Sequence, residues 1–393
     1  MARVLFKYVF LSFLLLLGRT LDAAISPIPF SDSLNGRSIG LNTEILMDPS
    51  GALNAVQAEG SAGFHACMQD VPNLGLSRTA YWVRFTVTNE SHSPEIILKV
   101  PSPEIERLDL YVLRSGQPEL ICRTGQAVRP ADRPFMDGEY GMPLNIPLQG
   151  TSTYLLRVHG LKQLLLPMHL NTEKGYFQDK DLRSLIAGAL FGIFLVMALY
   201  NLFLYFSVRD ISYLIYVMYI LLVCVTQLNF LGYAQLYFWP SATAFALRSS
   251  QVLTVLTAAA AGIFMHQFTR ASQFAPSSRY LTPAFVALLF AGLGVGYVGF
   301  PLLGYKILQI SVASFSTYML TIALICWWRG FRPAAFFSVA WALFLVGITA
   351  FVLKDMGLLP YTWFTKYLMP MGSVAEVILL SFGLADKINV LRR

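Results

Sequence analysis

The chain has 393 residues, of which 55% are hydrophobic and only 13% charged, about half the charged share of an ordinary globular protein. Its net charge of +7 is unevenly placed: residues 24–183 hold 14 basic and 17 acidic side chains, whereas residues 184–393 hold 12 and 4. The basic excess lies in the apolar half, where it suits loops beside anionic lipid, and no groove of interleaved basic and aromatic residues points to nucleic acid.

The chain opens with MARVLFKYVFLSFLLLLGRTLDAA. Arg3 and Lys7 precede an apolar run from Tyr8 to Leu17, and the small residues Ala23 and Ala24 follow. This is the composition of a secretory signal peptide over residues 1–23. The run is short against the ~20 residues that a full span needs; an uncleaved anchor helix is the alternative.

Residues 24–180 read as an exported all-β domain, a jelly roll or β-sandwich. Short strand-like runs recur between turn residues: YWVRFTVTN (81–89), EIILKV (95–100), ERLDLYVL (106–113), YLLRVHG (154–160) and LPMHLN (166–171). Alternation assigns their faces. Tyr81, Val83, Phe85, Val87, Leu108, Leu110, Val112, Leu156 and Val158 form the core side. The opposite side carries Trp82, Arg84, Asp109, Tyr111, Arg157 and His159. Aromatic, Arg, Asp and His side chains together can stack on and hydrogen-bond a small polar ligand such as a saccharide; a solvated outer sheet face with cross-strand pairs would have the same composition. His65, His92 and His169 stand alone and read as surface or structural. Cys67 and Cys122 either pair in an oxidising compartment or remain two buried thiols, and Cys224 and Cys326 read as packing residues within spans. No Cys/His spacing suggests a metal, and no cofactor is expected.

Residues 184–387 read as seven membrane spans, near 184–206, 211–231, 243–267, 281–300, 305–328, 334–353 and 365–386, followed by the start of an exit helix at 388–393. With the N-terminal domain outside, the inside loops and tail carry Arg209, Arg270, Arg279, Arg329, Arg332, Lys387, Arg392 and Arg393. The outside ends carry Arg248, Lys306, Lys354 and Lys366. Eight against four agrees with the orientation that the leader implies. Glu376 is the one carboxylate placed at mid-membrane, and Asn201, Gln227, Asn229, Gln251 and Gln309 also fall within spans. A buried Glu that hydrogen-bonds such amides serves either as a conformational switch or as plain interhelical glue. Gly292, Gly294, Gly296 and Gly299 suggest close helix packing in the fourth span.

Seven spans alone do not name a class. No lysine lies at mid-membrane for a retinal Schiff base, no acid-Arg-aromatic triplet ends the third span, and no Asn-Pro pair marks the seventh. Broken spans and multiple buried charges of a transporter are weak, and no nucleophile–base motif suggests an enzyme. The stretches LMDPSGALNAVQA (46–58), YWVRFTVTN (81–89), RTGQAVRPADRP (123–134), ALYNLFLYFSVRDISYLIYVMYI (198–220), LGYAQLYFWP (231–240) and EVILLSFGLADKINVLRR (376–393) together resemble one bacterial family, the seven-transmembrane receptors with diverse intracellular signalling modules. The resemblance implies a periplasmic jelly roll related to carbohydrate-binding modules, an inner-membrane bundle of seven helices, and a cytoplasmic effector, in relatives often a histidine kinase, diguanylate cyclase or phosphatase. No coiled coil or effector follows LADKINVLRR, so the expected effector lies on a missing C-terminal part or acts in trans. A non-signalling accessory protein that binds envelope glycans or a protein partner is the alternative reading.

Overall fold

The run from 80 to 89 organises the first half of the chain. In β6 (Ala80–Asn89), Tyr81, Val83, Phe85 and Val87 are buried on one side, as a strand with one face on a core requires. The computed structural model describes residues 26–391 except Ser77 and Leu161; the expected leader lies outside the described residues. In it, β3 (Glu44–Asp48) and β11 (Thr151–His159) flank β6 antiparallel. The sheet continues from β11 to β8 (Arg107–Arg114) and β9 (Gln117–Thr124), and from β3 to β4 (His65–Ala66). β1 (Ile28–Phe30) runs parallel to the end of β6.

A second sheet stacks on the first, in the order β10 (Tyr140–Asn145), β7 (Glu95–Val100), β13 (His169–Thr172), β2 (Arg37–Ser38). Ile96, Leu98, Val100, Met142, Leu144 and Leu170 from this sheet meet Val83, Phe85, Leu108, Leu110, Leu156 and Val158 from the other in one apolar core. Each such side chain contributes about 1.5–3 kcal/mol by leaving water. The layered β architecture expected from alternation is present, with both sheets open. A short ribbon of β5 (Asn73–Leu76) and β12 (Gln163–Leu165) pairs separately and adds Leu164 to the same core. Cys67 lies in the core and Cys122 packs at its margin; both are free thiols.

The only α-helix among the described residues of this β region is α1 (Ala55–Glu59), closed by a reciprocal Asn54–Gln57 capping box. Thr172, the last residue of β13, is also the N-cap of α2 (Glu173–Val208): its Oγ1 accepts the Gly175 N–H at 3.1 Å. Strand passes into helix without a linker. The sequence reading extends the β region to 180 and starts the first span at 184, because hydropathy reports only the lipid-facing part of a helix. The 36 residues of α2 reach about 54 Å at ~1.5 Å per residue, well beyond the ~30 Å of a hydrocarbon core. Its polar first turns, EKGYFQDKDLR, carry the helix up to the β region.

The remaining helices are α3 (Ile211–Phe230), α4 (Tyr233–Tyr237), α5 (Thr243–Phe268), α6 (Ala271–Phe274), α7 (Ser278–Tyr297), α8 (Pro301–Trp328), α9 (Pro333–Asp355) and α10 (Trp363–Leu391). Among the described residues, seven (α2, α3, α5, α7, α8, α9 and α10) are long and apolar enough to cross a membrane. The apolar stretch of α3 is 61% buried and that of α7 only 17%, so α3 is central and α7 peripheral. Gly296 and Gly304 bring α7 and α8 into backbone contact: a Cβ on Gly304 would lie 2.5 Å from the Gly296 nitrogen. Gly292 also faces α8, whereas a Cβ on Gly294 or Gly299 would meet nothing within 4 Å; only part of the expected glycine seam is used for packing.

Candidate functional site

The large sheet does bring the six predicted ligand residues to one side. Trp82 is paired with Arg157, and Arg157 with Asp109, across three adjacent strands; Arg84 and Tyr111 both stand opposite Leu155. His159 ends the row, 3.5 Å from Glu106 Oε2. An open face, however, is not what forms. Trp82 is 0% exposed, because residues 49–64 fold over the sheet as a strap, and Asp109 is 1% exposed. Leu46, Ala55, Ala58 and Leu155 enclose the indole, with Phe64 and Tyr111 at the edge. Asp109 is claimed by Arg107 Nε at 3.0 Å and Arg123 Nε at 3.2 Å. Arg84 bonds Glu44 at 2.6 Å, lies 3.7 Å from Glu59 and sits over the Phe64 ring. Arg157 donates to the Gly51 carbonyl at 2.6 Å, with its guanidinium 5.5 Å from the Trp82 ring. Alternation finds the face correctly, but a covering segment is invisible to it.

The strap has its own anchor. Asp48 accepts from Ser50 Oγ at 2.6 Å, Gly51 N at 2.9 Å and Leu53 N at 3.1 Å. Burial works against its charge, and these donors outweigh that and hold its carboxyl below the usual range. Glu59 behaves oppositely: burial pushes its carboxyl up, against the pull of Arg84.

A second constellation joins the two halves of the chain, and sequence reasoning misses it. Arg183, near the start of α2, forks onto Asp137 with Nη1 and Nη2 at 3.2 and 2.9 Å. It also contacts Asp179 at 2.8 Å and Glu139 at 3.3 Å. Glu139 accepts from Lys366 at the head of α10, while Lys99 of β7 bonds Asp179 at 2.7 Å. Three cations and three carboxylates therefore neutralise one another across β7, the 137–139 loop, α2 and α10. The Arg183, Asp137 and Glu139 side chains are 6%, 0% and 2% exposed, so little solvent screens them. Burial opposes the Glu139 charge, but Lys366, Arg183 and Lys99 hold its carboxyl below the ordinary range. Tyr176 adds a 3.0 Å hydrogen bond to Asp137.

Further contacts complete the joint. Arg133 donates to Gln235 of α4 at 2.6 Å, and Gln235 donates back to the Gln126 carbonyl at 2.9 Å. Thus the motif stretches 123–134 and 231–240 meet in space. Tyr361 donates to the Pro101 carbonyl at 2.7 Å. Gly138 and Gly232 touch backbone to backbone, since a Cβ on Gly232 would fall 2.0 Å from the Gly138 carbonyl oxygen. The available signal was faint: an Arg at a span edge, and an acidic DGEY turn whose carboxylates Asp137 and Glu139 lie 46 and 44 residues before it.

Within the bundle, Glu376 is fully buried. Its expected partners were the span amides; its partner is instead Tyr219, whose hydroxyl donates to Oε1 at 2.5 Å. Neighbouring rungs link α3 to α10: Tyr216 donates to the Val377 carbonyl at 2.5 Å, Tyr213 to the Leu384 carbonyl at 3.2 Å, and Gln227 to Ser373 Oγ at 2.6 Å. Asn201 of α2 donates to Ser381 Oγ at 2.9 Å. Asn229 serves another contact, accepting from Ser249 of α5 at 2.7 Å. The amides thus bind the serines of α10, or another helix, rather than the carboxyl.

Compared with known families, residues 183–387 match the profile described as 7TM diverse intracellular signalling. Residues 40–172 match the profile described as 7TMR-DISM extracellular 2. No curated protein matches the chain.

Proposed function

The chain belongs to the 7TM diverse intracellular signalling family, and on that premise we propose that it is a bacterial inner-membrane receptor with its β region in the periplasm and the end of α10 in the cytoplasm. A small periplasmic ligand, with a saccharide as the leading class, biases the β region between two arrangements. The bundle passes that bias to a cytoplasmic effector (a kinase, diguanylate cyclase or phosphatase) in trans or on the same polypeptide. A ligand shifts such an equilibrium only through its different affinity for the two states.

The observation that carries this reading is the Asp137–Glu139–Arg183–Lys366 cluster. It ties one loop of the β region to the heads of both α2 and α10. Movement of that loop therefore acts on two helices at once, and the α3–α10 rungs carry it down the bundle. The helix from Lys366 to Leu391 is about 38 Å long at ~1.5 Å per residue, enough to cross the bilayer. The test is an Asp137→Asn/Glu139→Gln chain in lipid nanodiscs, followed by hydrogen exchange. Altered protection at 376–391, far from the substitutions, is expected; protection identical to that of the unsubstituted chain defeats the coupling.

A further inference from the structure

From Ile211 to Lys354 the chain has no Asp or Glu, against seven Lys or Arg. Four of those cations, Arg270, Arg279, Arg329 and Arg332, gather at one end of the bundle. Arg270 lies between α5 and α6, Arg279 stands in the first turn of α7, Arg329 closes α8, and Arg332 precedes Pro333, the first residue of α9. The two turns that hold them touch. The Phe274 and Phe331 ring centroids are 5.5 Å apart, and Arg329 Nη1 donates to the Phe274 carbonyl. All four arginines lie within five residues of that contact. Unlike Arg183 and Lys366 in the joint, none of them makes an ion pair among the described residues. Two carboxylates share that end of the bundle, Asp210 at the N-cap of α3 and Asp386 on α10, so a surplus of positive charge remains.

We propose that this corner binds the phosphodiester headgroup of an anionic phospholipid. Guanidinium groups fork onto phosphate oxygens through paired N–H donors and stay charged at any working pH. The surroundings select a lipid over an acidic protein. Trp327, Trp328 and Tyr280 are exposed on the same two turns, as aromatic side chains at a membrane boundary are. Leu281, Leu288 and Phe290 of α7 are exposed as well, an apolar track for acyl chains that begins beside Arg279. A soluble acidic partner would meet the arginines and leave that track bare.

The orientation proposed above puts this corner in the cytoplasmic leaflet; the binding itself does not depend on that orientation or on signalling. A phosphate shared by the two turns would fasten the α5–α7 corner to the α8–α9 turn from outside, a contact independent of the α3–α10 rungs.

The test is titration of the full chain in neutral detergent with dioleoylphosphatidylglycerol, dioleoylphosphatidylcholine or inorganic phosphate, read by native mass spectrometry and by hydrogen exchange over 268–281 and 328–334. Phosphatidylglycerol should bind saturably and slow exchange in both segments, and phosphatidylcholine should do neither. Arg270→Gln/Arg332→Gln should weaken phosphatidylglycerol about tenfold or more. Arg248→Gln/Lys306→Gln removes two exposed cations at the opposite ends of α5 and α8 and should weaken it less than about twofold. Arg279→Gln, whose guanidinium packs on the Tyr280 ring, keeps the test open should the first double variant fail to fold, with an expected loss of about threefold or more. Equal binding of the two lipids, or equal losses in the two double variants, overturns the site and reduces the four arginines to charge that sets orientation. Slowing of exchange by inorganic phosphate as strong as that by phosphatidylglycerol overturns the lipid headgroup in favour of a soluble anion.

Discussion

Replacing Arg183 by leucine removes the cation at the centre of the joint and preserves helix propensity at that position. The loss is large because of what remains. Among the described residues, Asp137, at 0% exposure, keeps only the Tyr176 hydroxyl and the adjacent Gly138 N–H as donors, and Glu139 keeps Lys366 and Lys99. Removing one partner of a buried ion pair typically costs about 3–5 kcal/mol, because the surviving charge stays desolvated. At roughly 2–4 °C per kcal/mol for a unit of this size, the melting temperature of the β region should fall on the order of 10 °C in detergent or nanodiscs. Most of that cost is stranded charge, so Arg183→Leu/Asp137→Asn should regain about half or more of it. Thermal unfolding of the four chains of this cycle, followed by tryptophan emission, measures both quantities. A loss below ~1 kcal/mol for Arg183→Leu, a value typical of exposed pairs, or a double variant no better than the sum of the singles, refutes the argument.

Trp82→Ala should destabilise the β region by about 3–5 kcal/mol, a core truncation rather than a surface change, measured by urea unfolding; a near-neutral result contradicts the burial of the indole. Gly232→Ala meets the Gly138 carbonyl and a φ of +84°, so a cost of about 1–3 kcal/mol is expected, with faster hydrogen exchange in 133–141. Glu376→Gln keeps an oxygen acceptor for Tyr219 and should be nearly neutral, whereas Glu376→Leu strands that hydroxyl at about 1–3 kcal/mol; equal melting temperatures for the two would argue against the rung. Glu139 and Glu104 resist burial with the help of Lys366, Arg183 and Lys99 in the first case and Lys162, Ser250 and Lys354 in the second, so both are held below the ordinary value of 4.5. Their contribution is complete above that pH and disappears as the pH falls through the depressed values. Acid should therefore loosen the joint, raising hydrogen exchange at 133–141 below about pH 4, and a joint insensitive to acid would disprove the ion-pair account.

The layers and the spans were legible because each reports itself locally. Tyr81, Val83, Phe85 and Val87 alternate, and twenty apolar residues in a row are hard to mistake. The outer sheet face was also legible as a set, since Trp82, Arg157 and Asp109 have the parity that puts them together. Their burial was not, because it depends on a strap whose path is decided by the hydrogen bonds of Asp48 and by packing of Ala55 and Ala58. The joint was least legible. Arg183, Asp137 and Lys366 are ordinary residues in sequence, and only the topology, which returns the last span beside the first, makes them neighbours. Glu376 was recognisable by its cost in lipid, but its partner was not: Tyr219 reads as one of many aromatics in an apolar helix until α3 is seen at the centre of the bundle.

Thr172 ends a strand and begins α2 with no residue between them. Such a joint has no slack, so the sheet and the helix share a fixed angular phase. One residue inserted or deleted there would turn everything below it by about 100°, carrying Arg183 away from Asp137 and Asn201 away from Ser381. Exchange of the β region for another module is thus a question of rotational register: a graft must arrive at residue 173 with the same phase, and successful chimaeras should tolerate length changes at this point only in steps near a whole helical turn.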